Sequence, residues 1–271
     1  MAVGGLALAA EYFSRPEYLE VAEQAASDLY RQFAITGFTS GGCGDILQNS
    51  DSETAAALMT SLTTLYEKTG KSGYLRQAQD LAHLCASWTV SFDYRLPDDT
   101  PLAQLGANLT GAVWANTQNK HGAPGFCTQS GDALFKLYRA TGDTLYAELL
   151  RDIIHAHAEG IQPNGKITER LTYCDSDRRG SRADGWETGW NETNGALMAL
   201  EIPGIYVRTD LGRFYVFDHV EAQVVKNDTK RLVLRLTNPT AYDAEVTLVA
   251  EDSESAKKPL GDNAFLNGKT R

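Results

Sequence analysis

Residues Leu65–Leu75 read LYEKTGKSGYL, and a related segment, LYRATGDTLYA, follows 72 residues later at Leu137–Ala147. A looser copy, AAEYFSRPEYL, lies at Ala9–Leu19. In the two close copies a glycine can adopt the left-handed conformation that ends a helix, and in the looser copy the helix stops before Pro16. A short turn and a tyrosine follow in each copy. The repeat therefore predicts a series of helical hairpins.

The two helices of each predicted hairpin differ in composition. The first helices are rich in Ala, Leu and Met and carry few charges, and the second helices place apolar residues at i, i+3, i+4 and i+7. This difference predicts an inner and an outer layer. The first helices are predicted at Thr54–Lys68, Thr128–Ala140 and Glu192–Glu201. The second helices are predicted at Tyr18–Phe33, Tyr74–Trp88 and Tyr146–Ala158.

The pattern changes after Pro203-Gly204, where short Val-, Ile-, Leu- and Tyr-rich runs alternate with turns. We predict a helical domain at residues 1–203 and a β-strand domain at residues 204–271. These strands are fewer than the roughly seven of a sandwich, and the first residues already show a helical pattern, so we expect both domains to be truncated at the chain ends. The predicted strands are Ile205–Arg208, Arg213–Phe217, Glu221–Val225, Arg231–Thr237 and Glu245–Ala250.

The overall charge of the chain argues against two classes of partner. It contains 25 Lys and Arg against 35 Asp and Glu, a net charge of −10. Neither a nucleic acid nor an anionic membrane is expected to bind such a surface. No apolar run approaches the roughly 20 residues of a membrane span, and the apolar start Met1–Ala10 lacks the basic residues of a signal peptide. The sequence predicts a soluble protein, and leaves its location and oligomeric state open.

The repeated unit resembles the six-hairpin glycosidase superfamily over residues 3–202. The resemblance implies a mainly α fold, an incomplete (α/α)6-type toroid of helical hairpins, followed by the start of a β-sandwich domain. It also implies a carbohydrate substrate. The adjacent Cys-Cys pair and the Glu-x-Cys motif of the zinc-dependent β-L-arabinofuranosidases in this superfamily are absent. The resemblance rests on Asp51–Ala57, Thr69-Gly70, Tyr74-Leu75, Thr141-Gly142-Asp143 and Tyr146.

Three long loops are expected to open at the same end of the hairpins if the first helices are inner and the second outer. They are Gly41–Glu53, Phe92–Gly125 and Glu169–Gly195, and they are rich in Gly, Asn, Trp and carboxylates. Binding and catalytic residues concentrate on loops that a rigid scaffold holds together. The sequence therefore predicts that the active site lies among these loops.

Cleavage of a glycosidic bond needs an acid to protonate the leaving oxygen and a second carboxylate as base or nucleophile. Asp51 and Glu192 are the predicted pair, Glu53 is a further candidate, and His121 is predicted to assist. In unsaturated glucuronyl hydrolases a similar segment carries a catalytic Asp, which implies the same role for Asp51. The alternative is capping, because Ser50-x-x-Glu53 matches a capping box and Asp51 suits a helix N-terminus.

Aromatic and polar residues of the same loops are predicted to bind the sugar. Trp186 and Trp190 suit stacking on a pyranose, and Arg170 suits a uronate carboxylate or, as the alternative, an ion pair with Glu169 or Asp175. His83, His155 and His157 lie on second helices and are predicted to be surface or packing residues. The remaining predicted binding residues are Gln118, Asn191, Tyr94, Trp114 and Glu187.

Cysteines near the loops raise the question of a metal. Cys43, Cys127 and Cys174 together with Glu187 or Glu192 have the donor atoms of a zinc site. No motif spacing supports one, and small buried thiols explain such cysteines. We therefore predict no metal and no cofactor.

These features together predict a carbohydrate-active enzyme, a glycoside hydrolase acting on a poly- or oligosaccharide, with a uronic acid as one candidate at the cleaved bond. A polysaccharide lyase or sugar epimerase on the same toroid is an alternative, with His121 and Tyr94 or Tyr173 as base and acid. A toroid that binds carbohydrate without cleaving it is the alternative outside enzymes.

Overall fold

A computed structural model describes residues 2–41, 49–99, 103–104, 106–118, 121–127, 129–161, 165–167, 169, 171–173, 189–228 and 231–260. Within these ranges the protein is mainly helical, as predicted, with short strands between and after the helices. The helices are α1 (Ala2–Tyr12), α2 (Pro16–Phe33), α3 (Ser52–Thr69), α4 (Ser72–Ser87), α5 (Asp132–Thr141), α6 (Thr144–Glu159) and α7 (Gly189–Glu201).

The repeated segments form the predicted hairpin junctions. Gly70 ends α3 and Gly142 ends α5, with φ of +68° and +75°. The amide of Gly70 donates to the Tyr66 carbonyl at 2.7 Å, and that of Gly142 to the Tyr138 carbonyl at 2.8 Å. Pro16 is the first residue of α2, where a missing N–H costs nothing. The α1–α2, α3–α4 and α5–α6 hairpins are therefore confirmed.

Burial separates the first and second helices. Helices α2 and α3 are both 18 residues long, but α2 buries three side chains and α3 buries ten. Helix α3 contacts α1 and α5, and one apolar core runs through all three hairpins. The tyrosine that leads α6, Tyr146, is 1% exposed within this core, and its hydroxyl accepts a hydrogen bond from Gln79 Nε2 at 3.1 Å. The less charged first helices are thus the more buried ones.

Helix α5 begins at Asp132, so the predicted start at Thr128 is wrong. Gly131 has a φ of +80°, and this left-handed residue interrupts any helix that comes before it. The side chain of Ser130 then accepts the amide of Asp132 at 3.1 Å, which satisfies a donor of the first turn. Across the described residues, no helix combines the length and the apolar composition that a membrane span requires.

The strands form small sheets. In the first, β2 lies between β1 and β3 and both pairings are antiparallel. In the second, β4 pairs antiparallel with β5 and parallel with β8, while β6 and β7 form a hairpin with an irregularity between Val224 and Lys226. The strands are β1 (Val113–Trp114), β2 (His121–Ala123), β3 (Thr172–Tyr173), β4 (Ile205–Arg208), β5 (Arg213–Val216), β6 (Glu221–Asn227), β7 (Leu232–Thr237) and β8 (Leu248–Glu251).

All five strands predicted after Pro203 are observed, the first with its predicted bounds and the others with ends that differ by one to three residues. The last strand was expected at Glu245–Ala250 and is observed at Leu248–Glu251, because it is limited to the residues that pair with the four-residue strand β4. Strands β1 to β3 lie in segments predicted to be loops, and two or three residues are too few to show a period-2 pattern. The incomplete (α/α)6-type toroid and the start of a β-sandwich stay predictions.

The second sheet packs on the helical layer. The ring of Phe135 in α5 contacts Tyr206 and Phe217 edge-to-face, with centroid distances of 5.2 and 5.7 Å. All three side chains belong to the same core as the hairpins. The predicted boundary Pro203-Gly204 falls between α7 and β4, and the division into two domains there stays a prediction.

Candidate functional site

Two of the three predicted loops are joined by the sheet of β1, β2 and β3. Gly122 in the second loop pairs with Trp114 on one side and with Thr172 of the third loop on the other. The amide of Leu171 extends this pairing by donating to the Gly122 carbonyl at 2.7 Å. The second and third loops therefore share a hydrogen-bonded platform.

The first loop joins the same platform through Asp51 and its neighbours. Asp51 and Asn116 form an antiparallel bridge. The amide of Ser52 donates to the Ala115 carbonyl at 3.0 Å, and Asn49 Nδ2 donates to Gln118 Oε1 at 2.6 Å. The described parts of the three loops thus form one unit at one end of the hairpins, as predicted.

Asp51 is the N-cap of α3. It is extended, with φ −144° and ψ 155°. Its Oδ1 accepts the amide of Thr54 at 2.6 Å, and its Oδ2 accepts the Thr54 hydroxyl at 3.1 Å. The predicted capping box of Ser50 and Glu53 is therefore wrong by one residue, because the bridge to Asn116 keeps Asp51 extended and the helix begins after it. Glu53 lies half-buried in the first turn of α3.

His121 and Asn116 are buried polar residues at the platform. His121 is 3% exposed and Asn116 is 1% exposed. The His121 carbonyl accepts the amide of Ala115 at 3.1 Å, and Asn116 Oδ1 accepts the amide of Gln118 at 3.0 Å. Gln118 itself is half-buried. Polar side chains that the sequence suggested separately are thus adjacent in the fold.

Trp114 of β1 and Tyr94 pack against a small apolar cluster and remain partly exposed. Asp93, beside Tyr94, accepts the amides of Thr110 and Leu109 at 2.8 and 2.7 Å, and these bonds lower its pKa. The second loop is therefore anchored by its own hydrogen bonds. The buried residues of this apolar cluster are Val90, Leu109, Ala112, Ala156 and Leu171.

The start of α7 brings the third loop to the same place. Glu192 is exposed, and its Oε1 accepts the amide of Ile167 at 3.4 Å. Asn194 is fully buried and its Nδ2 donates to the Phe126 carbonyl, just after β2, at 2.8 Å. Asn191 is 5% exposed, and Trp190 is half-buried. The first turn of α7 is thus tied to the segments on either side of the platform.

Several predicted residues lie outside the described ranges, namely Trp186, Glu187, Arg170, Cys43 and Cys174. Cys127 is partly exposed and Cys85 is buried, and burial raises the pKa of the Cys85 thiol. Within the described part of the chain, no three His, Cys, Asp or Glu side chains are grouped to hold a metal ion.

The sequence predicts a surface or packing role for His157, and the structure places it as a packing residue beside Asn191 and Glu192. It is 7% exposed, and its Nε2 lies 2.8 Å from the Asn191 carbonyl. Burial lowers its pKa, against the opposing effects of the Asn191 carbonyl and the Glu192 carboxylate. The spacing of His157 from Tyr146 and Ile153 along α6 could have predicted its burial, because all three residues lie on the buried face of the helix.

A cavity of about 260 Å³ lies beside His157, between α6, α7 and the β5–β6 turn. His219 also lines it. The ring of His219 stacks on that of His155, with centroids 4.3 Å apart and planes at 17°. The two histidines of α6 therefore face different neighbours, His155 the strands and His157 the first turn of α7.

The sequence matches no protein-family model and no curated protein sequence. Among solved structures, the chain is similar to a selenomethionine derivative of the GH76 alpha-mannanase from Bacteroides thetaiotaomicron. The identity is 16% and the TM-score is 0.48, over 72% of this chain and 48% of the mannanase chain. The chain thus spans about half the length of that structure, and a likeness at this level assigns no family.

Proposed function

We propose that the protein is a carbohydrate-active enzyme that hydrolyses a glycosidic bond of a poly- or oligosaccharide. The observation that supports this most directly is the platform at one end of the hairpins. It ties the loop of Asp51 to that of His121 through the bridge to Asn116, and the loop of His121 to the third loop through the pairing with Tyr173. Carboxylates, amides and aromatic rings are the groups that a sugar site requires.

Asp51 and Glu192 are proposed as the acid and base pair. Asp51 is buried, and its carboxylate is held in one orientation by both donors of Thr54. Glu192 is exposed at the first turn of α7, where a substrate can reach it. One group protonates the leaving oxygen as the C–O bond breaks, and the other takes a proton from the attacking water or forms the glycosyl intermediate.

The remaining predicted residues are proposed to bind or assist. His121 would exchange a proton or hydrogen-bond the sugar, and Trp190 would stack on it. Glu53 lies beside Asp51 in the same turn and is proposed as a further acid. The proposed binding residues also include Gln118, Asn191, Tyr94, Trp114, Trp186, Glu187 and Arg170.

Two amide substitutions test the pair. Asn caps helices as well as Asp does, so Asp51→Asn removes the acid and keeps the cap. We expect Asp51→Asn and Glu192→Gln each to lower hydrolysis by about 10² or more while the melting temperature hardly changes. The assay measures reducing ends released from neutral and uronic-acid-containing glycans.

Asp143 provides the matched control, because it caps α6 at the opposite end of the hairpins. Its Oδ1 accepts the amide of Leu145 at 3.0 Å. Asp143→Asn makes the same chemical change and should leave both hydrolysis and melting temperature unchanged. Full activity in both Asp51→Asn and Glu192→Gln would refute the pair, and glycan binding without turnover would favour a non-catalytic role.

The lyase alternative has one supporting observation. His121, its proposed base, and Tyr173, one of its two candidate acids beside Tyr94, are backbone partners across β2 and β3. In an elimination the base takes the proton from the carbon beside the uronate carboxylate, a C=C bond forms as the C–O bond breaks, and the acid protonates the leaving oxygen, so no water is added. Ultraviolet absorbance of an unsaturated product would identify this reaction and exclude hydrolysis.

A further inference from the structure

His157 occupies the contact between α6 and α7. Its side chain belongs to the buried stripe of α6, which otherwise consists of apolar residues and Tyr146. The ring is 7% exposed. A buried polar ring in such a stripe is costly unless a partner satisfies it. The partner is the backbone of α7.

The hydrogen bond assigns a tautomer to the ring. His157 Nε2 lies 2.8 Å from the carbonyl oxygen of Asn191. A carbonyl oxygen only accepts, so Nε2 must carry the hydrogen. His157 therefore acts as a donor towards the first turn of α7, where the backbone carbonyl of Asn191 can accept a second bond beside its helical one.

Gly195 shows how closely the ring approaches α7. It lies one turn after Asn191, on the same side of the helix. A Cβ placed on Gly195 would lie 2.9 Å from His157 Cε1, nearer than Cβ atoms are normally found to other heavy atoms. The ring thus touches α7 at the one position of this turn where a side chain is missing.

The carbonyl that His157 holds lies between two residues of the proposed site. Trp190 precedes Asn191 and Glu192 follows it. The bond of the Glu192 carboxylate to the Ile167 amide is 3.4 Å long, which is weak, whereas the bond of His157 is 2.8 Å long. The shorter of the two bonds thus holds the backbone of the turn, from which the Glu192 side chain projects.

We propose that His157 is a positioning residue, whose Nε2–H holds the Asn191 carbonyl and so orients Glu192 and Trp190 for the carbohydrate. This proposal rests on the proposed function, because it assigns His157 to the same site. His157 needs no contact with the substrate. Its effect is carried by one hydrogen bond to the backbone.

Substitutions separate the hydrogen bond from simple packing. In His157→Gln the side-chain amide still donates from a similar position, whereas His157→Leu fills space without a donor. In Gly195→Ala the ring is present but displaced by the new methyl group. His155→Leu is the matched control, since His155 lies on the same helix but faces Asp218 and His219.

The first measurement is hydrogen exchange of the 271-residue chain, followed by mass spectrometry of the peptide that contains residues 189–195. We expect His157→Leu and Gly195→Ala to lower protection of this peptide by about tenfold, as one lost bond to a buried acceptor would. His157→Gln should keep protection within about threefold of the original, and His155→Leu should leave the peptide unchanged.

The second measurement is glycan hydrolysis. We expect His157→Leu to lower kcat by about 10²-fold at similar KM, because misplaced catalytic groups act on the rate, and His157→Gln to restore most of it. Two results would overturn the proposal. One is equal hydrogen-exchange protection of residues 189–195 in His157→Leu and in the original chain, and the other is an equal loss of kcat in His157→Leu and His157→Gln. If the original chain cleaves no glycan, the proposed function fails, while the exchange data still decide whether His157 anchors the turn.

Discussion

Arg139 and Glu251 form a two-point ion pair that joins helix α5 to strand β8. Arg139 Nε lies 2.7 Å from Glu251 Oε1, and Nη2 lies 2.8 Å from Oε2. The side chains are 3% and 9% exposed. The hydroxyl of Tyr206 also donates to Glu251 Oε1 at 2.8 Å, so the carboxylate is satisfied from both the helix and the sheet.

Removing one partner of this pair should destabilise the fold strongly. Glu251→Gln leaves a buried guanidinium without its main counter-charge, since Glu67 Oε1 lies 3.9 Å from Arg139 Nη1, beyond hydrogen-bond distance. We expect the free energy of unfolding to fall by about 3 kcal/mol. Urea denaturation at neutral pH measures it.

A surface pair nearby provides the control. Lys257 and Glu254 lie 2.7 Å apart, with side chains 62% and 78% exposed. Glu254→Gln should cost less than about 1 kcal/mol. The double substitution Arg139→Met with Glu251→Leu should recover much of the loss, because no buried charge is left alone. Similar losses for Glu251→Gln and Glu254→Gln would show that the buried pair adds no more than an exposed one.

Features with local causes were predictable from the sequence, and this ion pair was not. The hairpin junctions depend on Gly70 and Gly142, which are adjacent in sequence to the helices they end. Arg139 and Glu251 are 112 residues apart, and no local pattern links them. Helix α3 begins at Ser52, two residues before the predicted Thr54, because Asp51, held extended by a distant bridge to Asn116, caps it.

In the candidate site too, features with local causes were predictable and those that depend on distant contacts were not. The sequence indicated which loops share an end, since this follows from the alternation of inner and outer helices. Both His155 and His157 were expected to be surface or packing residues, although the spacing of His157 from Tyr146 and Ile153 follows the buried stripe of α6. The different partners of the two rings depend on tertiary contacts, which no local pattern shows. The platform of β1 to β3 was not predicted either, because its strands are too short to have a signature.

Two glycines with positive φ should respond differently to alanine. A Cβ on Gly111, at φ +92°, would lie 1.9 Å from the carbonyl oxygen of Asp152, which belongs to the helix backbone and cannot move aside. Gly142, at φ +75°, has nothing within 4 Å. We expect Gly142→Ala to cost about 1 kcal/mol from backbone strain alone, and Gly111→Ala about 3 kcal/mol or more.

Urea denaturation of the two alanine variants at one pH distinguishes backbone strain, which both variants share, from the steric clash with Asp152, which only Gly111→Ala should show. If both lose the same free energy of unfolding, the second loop does not pack against α6 as closely as the structure shows. A larger loss for Gly111→Ala would support the anchoring of this loop, and with it the position of Trp114.

The two histidines of α6 should make stability depend on pH. Burial is the main cause that lowers the pKa of each, helped for His155 by His219 and Arg151 and opposed for His157 by Asn191 and Glu192. The unfolded chain then binds more protons below about pH 6.5. Their contribution to stability is therefore complete above that pH and is lost as the pH falls towards 5.

Unfolding by urea at intervals between pH 5 and 8 measures this effect. The double variant His155→Gln with His157→Gln should show a flatter profile than the original chain. The difference between the two profiles is the relevant quantity, because burial also raises the pKa of Glu67, which favours the fold at the acidic end. Parallel profiles would mean that neither histidine is neutral and buried in the folded chain.

The capping role of Asp51 can be tested apart from its proposed catalytic role, because capping affects the stability of the fold. Asp51→Ala leaves the amide and hydroxyl of Thr54 without their acceptor in a part-buried place, so we expect a loss of about 2 kcal/mol. Asp51→Asn keeps an acceptor, so the free energy of unfolding should fall by only roughly a few tenths of a kcal/mol.

The exposed cap Asp143 is the control. Asp143→Ala should cost about 0.5–1 kcal/mol, because water can replace the lost bond to Leu145. Thermal and urea unfolding of the three variants measure these losses of stability and so rank them. If Asp51→Ala were as stable as the original chain, the carboxylate would have no capping role, and its burial would have to be explained by the site.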